Sequence, residues 1–205
     1  MNFLPDNIYH VYNQGNNKKQ IFYSRQEYIG FLHLTRAHLL PKAEIIAYCL
    51  MPNHFHFMVY ADQRCLNSVK QGFLIIDPIT NGMRKLLSGY TKIQNQKKLQ
   101  SGSIFRPKTK AKCLTELSLV LHEPLAVKDY YTNCFLYIHQ NPVKSGLVAH
   151  AEEWEYSSYR DYAGLRNGTM CTKILAEQYC GYELDTVAAK TQMIIAGEWE
   201  RKIMY

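Results

Sequence analysis

Two apolar, β-rich runs separated by a turn constrain this chain more than any other feature of it. Ala43 to Leu50 is almost wholly apolar, Met51-Pro52-Asn53 reads as a turn, and His54 to Tyr60 alternates. A connection that short joins antiparallel neighbours, so the two runs predict a hairpin. A short strand, Ile8 to Gln14, precedes it and ends at Gly15, with a polar loop at Asn16-Asn17-Lys18-Lys19. Ser24 and Glu27 have capping-box spacing, and Phe31, Leu32, Leu34, Leu39 and Leu40 supply an apolar helical face before Pro41 stops the helix. Asp77-Pro78 opens a second helix whose apolar positions are Ile79, Met83, Leu86, Leu87, Tyr90 and Ile93. A fourth extended segment is expected between Ser103 and Cys113, held to a sheet edge by Pro107.

Strand, helix, strand, strand, helix, strand is the order of a split βαβ unit. The expected fold class is therefore α+β: a ferredoxin-like core with an antiparallel sheet and helices on one face, the other face left free. A further helix from Asp129 to about Asn141 should be stopped by Pro142, which also pushes the backbone of Asn141 out of the helical region. The last 60 residues, with Trp154, Tyr156, Tyr159 and Tyr162, read as a mixed, mostly helical extension. With no internal repeat or Pro/Gly-rich linker, the organisation expected is one catalytic domain over 1–165 and a helical C-terminal extension over 166–205 packed on it.

Charge narrows the partner. The 205 residues carry 24 Lys and Arg against 17 Asp and Glu, a formal charge of +7. Nine of those cations fall between Pro78 and Thr115, where no acidic residue occurs, so the rest of the chain is slightly acidic. A cationic stretch on such a body has the footprint of a polyanion-binding surface. Within it Arg106, Lys108, Lys110 and Lys112 alternate with other residues. If extended, they share one face at intervals of roughly 6.6 Å, close to the phosphate spacing of a single strand. A solvated loop is the plainer alternative, which the neighbouring cationic helix disfavours.

Other classes drop out. The longest apolar stretch, Ile45 to Met51, is seven residues, far short of the roughly 20 that a membrane-spanning helix needs. The N-terminus lacks a basic start and apolar core, so a cytoplasmic protein is expected. The six cysteines have no Cys-x-x-Cys spacing and read as free thiols rather than a zinc or redox site.

Two groups of residues can do chemistry. On a strand, His54 and His56 point to one side while Phe55, Phe57 and Val59 point to the other, and two neutral imidazoles so placed can chelate a divalent ion. Two polar residues on a wet strand face would look the same. On the later helix, Tyr130, Cys134, Tyr137 and Asn141 share a face, which puts Tyr137 and Asn141 one turn apart. A phenol can be a nucleophile and an amide oxygen can bind a hard cation; a buried tyrosine stripe closing a core is the structural alternative. Taken together, the two groups suggest metal-assisted attack of a tyrosine on a phosphodiester.

The blocks Tyr48-Cys49-Leu50-Met51-Pro52-Asn53-His54-Phe55-His56 and Tyr137-Ile138-His139-Gln140-Asn141-Pro142-Val143 resemble the single-tyrosine, His-hydrophobic-His (HUH) transposases, closest to the REP-associated tyrosine transposases. Tyr9-His10-Val11 with Asn13-Gln14-Gly15, the Gly102 to Lys112 segment and Trp154-x-Tyr156-Ser157-Ser158-Tyr159 match in the same order, over roughly residues 5–165. The resemblance implies a transposase that cleaves and rejoins single-stranded DNA at hairpin ends, using Mg²⁺ or Mn²⁺ and a 5′-phosphotyrosine intermediate. By position, His54, His56 and Asn141 would be metal ligands and Tyr137 the nucleophile. Asn13, Gln14, Arg106, Lys108, Lys110 and Lys112 would contact DNA. The resemblance leaves open whether the protein is a monomer or a homodimer, and whether Tyr137 acts in its own chain or across an interface. A domesticated hairpin-binding protein without turnover remains the alternative, and a replication initiator or relaxase with the same two-His chemistry a more distant one.

Overall fold

The computed structural model of the chain describes residues 1–115 and 124–183. Its centre is a four-stranded antiparallel sheet built from β1 (Asn7–Gln14), β2 (Glu44–Met51), β3 (His54–Ala61) and β6 (Lys110–Cys113), in the order β2-β3-β1-β6. Helices α1 (Arg25–His38) and α2 (Pro78–Lys98) fill the two crossover positions. The split βαβ core expected from the sequence is thus the fold. A small separate hairpin, β4 (Val69–Gln71) with β5 (Leu74–Ile76), is inserted before α2.

Alternation along β3 decides the layering. Phe55, Phe57 and Val59 pack with Tyr9 and Val11 of β1 and with Phe31, Ile79, Met83, Leu86 and Tyr90 of the two helices. Burying each such side chain contributes about 1.5–3 kcal/mol, and a one-residue slip of β3 would turn the whole set away from α1 and α2. Ile93, expected on the same face of α2, is exposed instead. Gly82 lets α2 approach the end of α1, because a Cβ there would lie 2.5 Å from the His38 carbonyl oxygen.

The helix starts differ from one another. Asp77 caps α2 as expected, its carboxylate accepting from the Thr80 amide at 2.7 Å, with Pro78 in the first turn. The capping box at α1 is only partly made. Ser24 is the N-cap, but its hydroxyl makes no cap bond. Glu27 accepts instead from the Tyr23 amide at 2.7 Å and pairs with Lys97 at 3.1 Å. A cation from α2 thus holds the carboxylate that the local pattern assigned to Ser24.

The sheet face left free by the sequence reading is covered by α3 (Pro124–Lys144). Its Tyr130, Cys134 and Ile138 pack against Ile46 and Met58, together with Tyr162 of the single turn α4 (Tyr159–Tyr162) and Cys180 of α5 (Lys173–Cys180). Pro142 does not stop this helix, which continues to Lys144, and Asn141 stays helical. So near the helix end a proline removes only the bond to the Ile138 carbonyl. The chain then closes with Ser145 donating to the Asn141 carbonyl at 3.0 Å and Leu147 to that of Pro142 at 3.0 Å.

The fourth strand is shorter than the extended segment expected over Ser103 to Cys113. Only Lys110–Cys113 pairs with β1, while Phe105 makes an isolated bridge to Gly15. Between them Asn13 holds the loop, its amide donating to the Arg106 carbonyl at 3.1 Å and to Thr109 Oγ1 at 2.9 Å. The Trp154 to Tyr159 segment lines the outer edge of β2: Leu50 donates to the Tyr156 carbonyl and Ser158 to that of Tyr48, both at 2.9 Å. The described part of the C-terminal segment meets β2 where Thr172 donates to the Ile45 carbonyl at 2.9 Å. The 166–205 extension beyond residue 183 lies outside the described residues. Among the described residues no helix is long and apolar enough to cross a membrane.

Candidate active site

The tight turn between β2 and β3 is held from the neighbouring loop, where Ile21 and Phe22 donate to the Pro52 carbonyl and Gly15 to that of Asn53. Gly15 allows this closeness, since a Cβ there would lie 2.1 Å from the Lys19 carbonyl oxygen. His54 and His56 leave this turn on the sheet face that α3 covers. Their rings are 4.9 Å apart, centre to centre. Tyr137 meets them from α3, its ring 5.5 Å from that of His56 in an edge-on arrangement and 8% exposed.

Asn141, one turn beyond Tyr137, donates from Nδ2 to the Tyr137 carbonyl at 2.8 Å, and its side chain is near enough to the His54 ring to favour the protonated imidazole. The four residues singled out for chemistry therefore converge. α3 is clamped in place from its other side. His139 Nε2 lies 2.7 Å from Ser158 Oγ, which also donates to the Tyr48 carbonyl. Helical geometry turns Tyr137 and His139 to opposite sides, so anchoring one steadies the other.

His10 was not singled out as part of the site by sequence reasoning. It is fully buried on β1, and its Nε2 is 2.9 Å from His56 Nδ1. The only local signal was a polar residue in the middle of an apolar strand; its contact with His56 depends on the pairing of β1 with β3.

Burial keeps both candidate ligands neutral. It lowers the pKa of His54 to about 4, against the opposing effect of the Asn141 side chain, which favours the protonated ring. It holds His56 well below the ordinary imidazole value, with repulsion from His10 and His54 acting the same way. Neutral imidazole is the form with a lone pair to give a metal. His56 Nε2 is buried with no hydrogen-bond partner among the described residues, while its Nδ1 faces His10. His54 Nδ1 likewise faces Asn53 Oδ1. A ligand imidazole engaged through its second nitrogen has this arrangement, so the residues present fit a divalent ion. Among the described residues no group of three His, Cys, Asp or Glu could hold one, so beside the two imidazoles the residue singled out that remains to offer a donor is the Asn141 amide.

A groove of about 690 Å³ opens onto the histidines. Tyr12, Gln14, Lys18, Arg106, Lys108, Lys110 and Lys112 line it together with His54 and His56, and among the described residues no acidic side chain does. The four alternating cations share this groove although only Lys110 and Lys112 lie on a strand. Lys112 is half-buried, and desolvation lowers its pKa. Gln14 and Asn13 both line the groove, and Asn13 also donates its amide to the Arg106–Thr109 loop.

No family model matches the sequence, and no curated protein matches it. Among solved structures the chain is similar to a REP-associated tyrosine transposase bound to a REP hairpin, with a TM-score of 0.51 and 17% identity over 80% of this chain and 84% of that one. At that identity the likeness is one of fold.

Proposed function

We propose that this protein is a metal-dependent single-tyrosine transposase that cleaves and rejoins single-stranded DNA at hairpin ends. The observation that carries the reading is Tyr137 set against His56, one of two neutral imidazoles on a groove lined, among the described residues, by five cations and no acid. The fold shared with a REP-associated tyrosine transposase supports it.

In this reading Tyr137 Oη attacks the scissile phosphorus. A bond forms between the phenolic oxygen, which gives up its proton, and phosphorus as the phosphorus–O3′ bond breaks, leaving a 5′-phosphotyrosine ester and a departing 3′-oxygen that takes up a proton to become a hydroxyl. The same hydroxyl, or that of another strand, can attack the ester and regenerate Tyr137, so rejoining needs no nucleotide cofactor. His54, His56 and Asn141 would hold Mg²⁺ or Mn²⁺, which supplies Lewis-acid stabilisation of charge on the phosphate oxygens. Lys18, Arg106, Lys108, Lys110 and Lys112 draw the strand in and fix its register. His10 holds the His56 ring, and the α3 clamp at His139 keeps Tyr137 against it.

Incubation with a hairpin-bearing oligonucleotide and Mn²⁺ tests the reading. A denaturation-resistant adduct is expected from the parent protein and none from Tyr137→Phe. Tight hairpin binding with no adduct in Mg²⁺ or Mn²⁺ would leave a hairpin-binding protein without turnover.

A further inference from the structure

Every second residue of β1 points to the sheet face that α3 covers, and the row Ile8, His10, Tyr12, Gln14 runs out from under that helix into the groove at the histidines. Ile8 and His10 are buried. Tyr12 is half-buried and lines the groove with Gln14. Among the described residues no other Phe, Tyr or Trp lines it.

Strand register sets what stands on either side of this ring. Tyr12 is directly opposite His56 on β3 and Lys110 on β6, and opposed residues of an antiparallel pair share a face with about 4.5–5.5 Å between Cβ atoms. Across the sheet the order is therefore imidazole, phenol, ammonium. The Tyr12 ring centre lies 5.9 Å from that of His56. It lies 4.8 Å from that of His10, on which it stacks at an interplanar angle of 29°. His10 is itself 2.9 Å from His56 Nδ1, so the phenol is propped from within the fold. A ring ordered beforehand loses little freedom when a flat partner lies against it. Sites for unpaired strands join the same two parts, cations that follow the backbone and aromatic rings on which bases stack. With one phosphate at the imidazoles and its neighbour at the exposed Lys110, the base between them falls on Tyr12.

We infer that Tyr12 is a nucleobase-stacking subsite of the groove, taking the base of the nucleotide that carries or adjoins the scissile phosphate. The inference rests on the reading of this groove as the strand-cleaving site. It extends that reading by giving the site a contact with a base, whereas the cations touch only the backbone. Stacking tolerates any base, so Tyr12 selects for a nucleotide whose base face is not already covered by duplex neighbours rather than for one base identity.

The test measures binding of two probes in chelator, so that cleavage does not intervene: a twelve-residue oligo-dA, and a twelve-residue strand of abasic nucleotides with the same phosphates. The parent protein should prefer oligo-dA by about 5–100-fold, the range that one base–aromatic stack supplies. Tyr12→Leu should bind oligo-dA weaker by a similar factor, with its affinity for the abasic strand and its salt slope unchanged, because no phosphate contact is lost. Tyr12→Phe, which keeps the ring, should behave like the parent. A parent that binds both probes equally would overturn the inference without any variant. So would equal losses on both probes in Tyr12→Leu, no loss on either, or a Tyr12→Phe as weak as Tyr12→Leu. Failure of the parent to form a covalent adduct with a hairpin in Mn²⁺ would overturn the transposase reading instead, while the comparison of oligo-dA with the abasic strand would still stand.

Discussion

Lowering the pH from 7 to 5 should cost this protein stability through His139, by an amount the structure allows one to work out. The ring is fully buried against Ser158, Phe135 and Tyr162, and burial lowers its pKa to about 3. An unfolded chain binds that proton below an ordinary value near 6.5, whereas the native state does not. The contribution is therefore fully present above pH 6.5 and is lost as the pH falls towards the folded value. At pH 5 the loss is about 2 kcal/mol, set almost wholly by the 1.5 units between pH 5 and the unfolded pKa. Urea denaturation of the parent and of His139→Gln at the two pH values isolates this share, because the carboxylates and other histidines titrate alike in both. The variant, whose amide can still reach Ser158, should be less stable at pH 7 but lose about 2 kcal/mol less on acidification. Parallel losses in parent and variant would refute the assignment of a buried, neutral His139.

Three further outcomes follow from the site. Replacing Lys108, Lys110 and Lys112 with Ala should flatten the salt dependence of single-strand binding by roughly 2 in slope, at 0.7 per lost contact; an unchanged slope would remove this segment from the DNA path. His10→Phe keeps a ring in the core but takes away the partner of His56 Nδ1, so Mn²⁺ affinity measured by calorimetry should fall about 10–100-fold, as for other positioning partners of metal ligands, and an unchanged affinity would contradict the role. Gly15→Ala should destabilise by about 1–3 kcal/mol in thermal or urea melts, because the new methyl meets the Lys19 carbonyl; a neutral result would show that the loop shifts freely.

What was legible in the sequence follows the range of the forces involved. Period-two alternation in His54 to Tyr60 assigned Phe55 and Phe57 to one core and His54 and His56 to the other face, and the sheet bears that out. The helical spacing of Tyr130, Cys134, Tyr137 and Asn141 marked a real stripe, but not the surface it meets. That required knowing that Ile46 and Met58 stay apolar on the side thought to be free. Pro142 misled because local rules treat proline as a stop, while a proline two residues before a helix end costs only one backbone bond. The Ser24 capping box is only partly made: the Ser24 hydroxyl makes no cap bond, while Glu27 takes the Tyr23 amide on one oxygen and Lys97, 70 positions away, on the other. His10 shows the same limit within the site, since its bond to His56 spans 46 positions. Contacts of that range arise from strand register, which no local window contains.

The central claim is that Tyr137 is the nucleophile, and the most direct measurement is mass spectrometry of the protein–DNA adduct after nuclease and trypsin digestion. Cleavage after Lys128 and Lys144 releases a peptide that holds Tyr130, Tyr131 and Tyr137 together, so fragment ions distinguish them. The account predicts a 5′-phosphonucleotide on Tyr137 alone, formed only when Mg²⁺ or Mn²⁺ is supplied. A modification on Tyr130, Tyr131 or any other residue, or one that forms equally well in chelator, would contradict it.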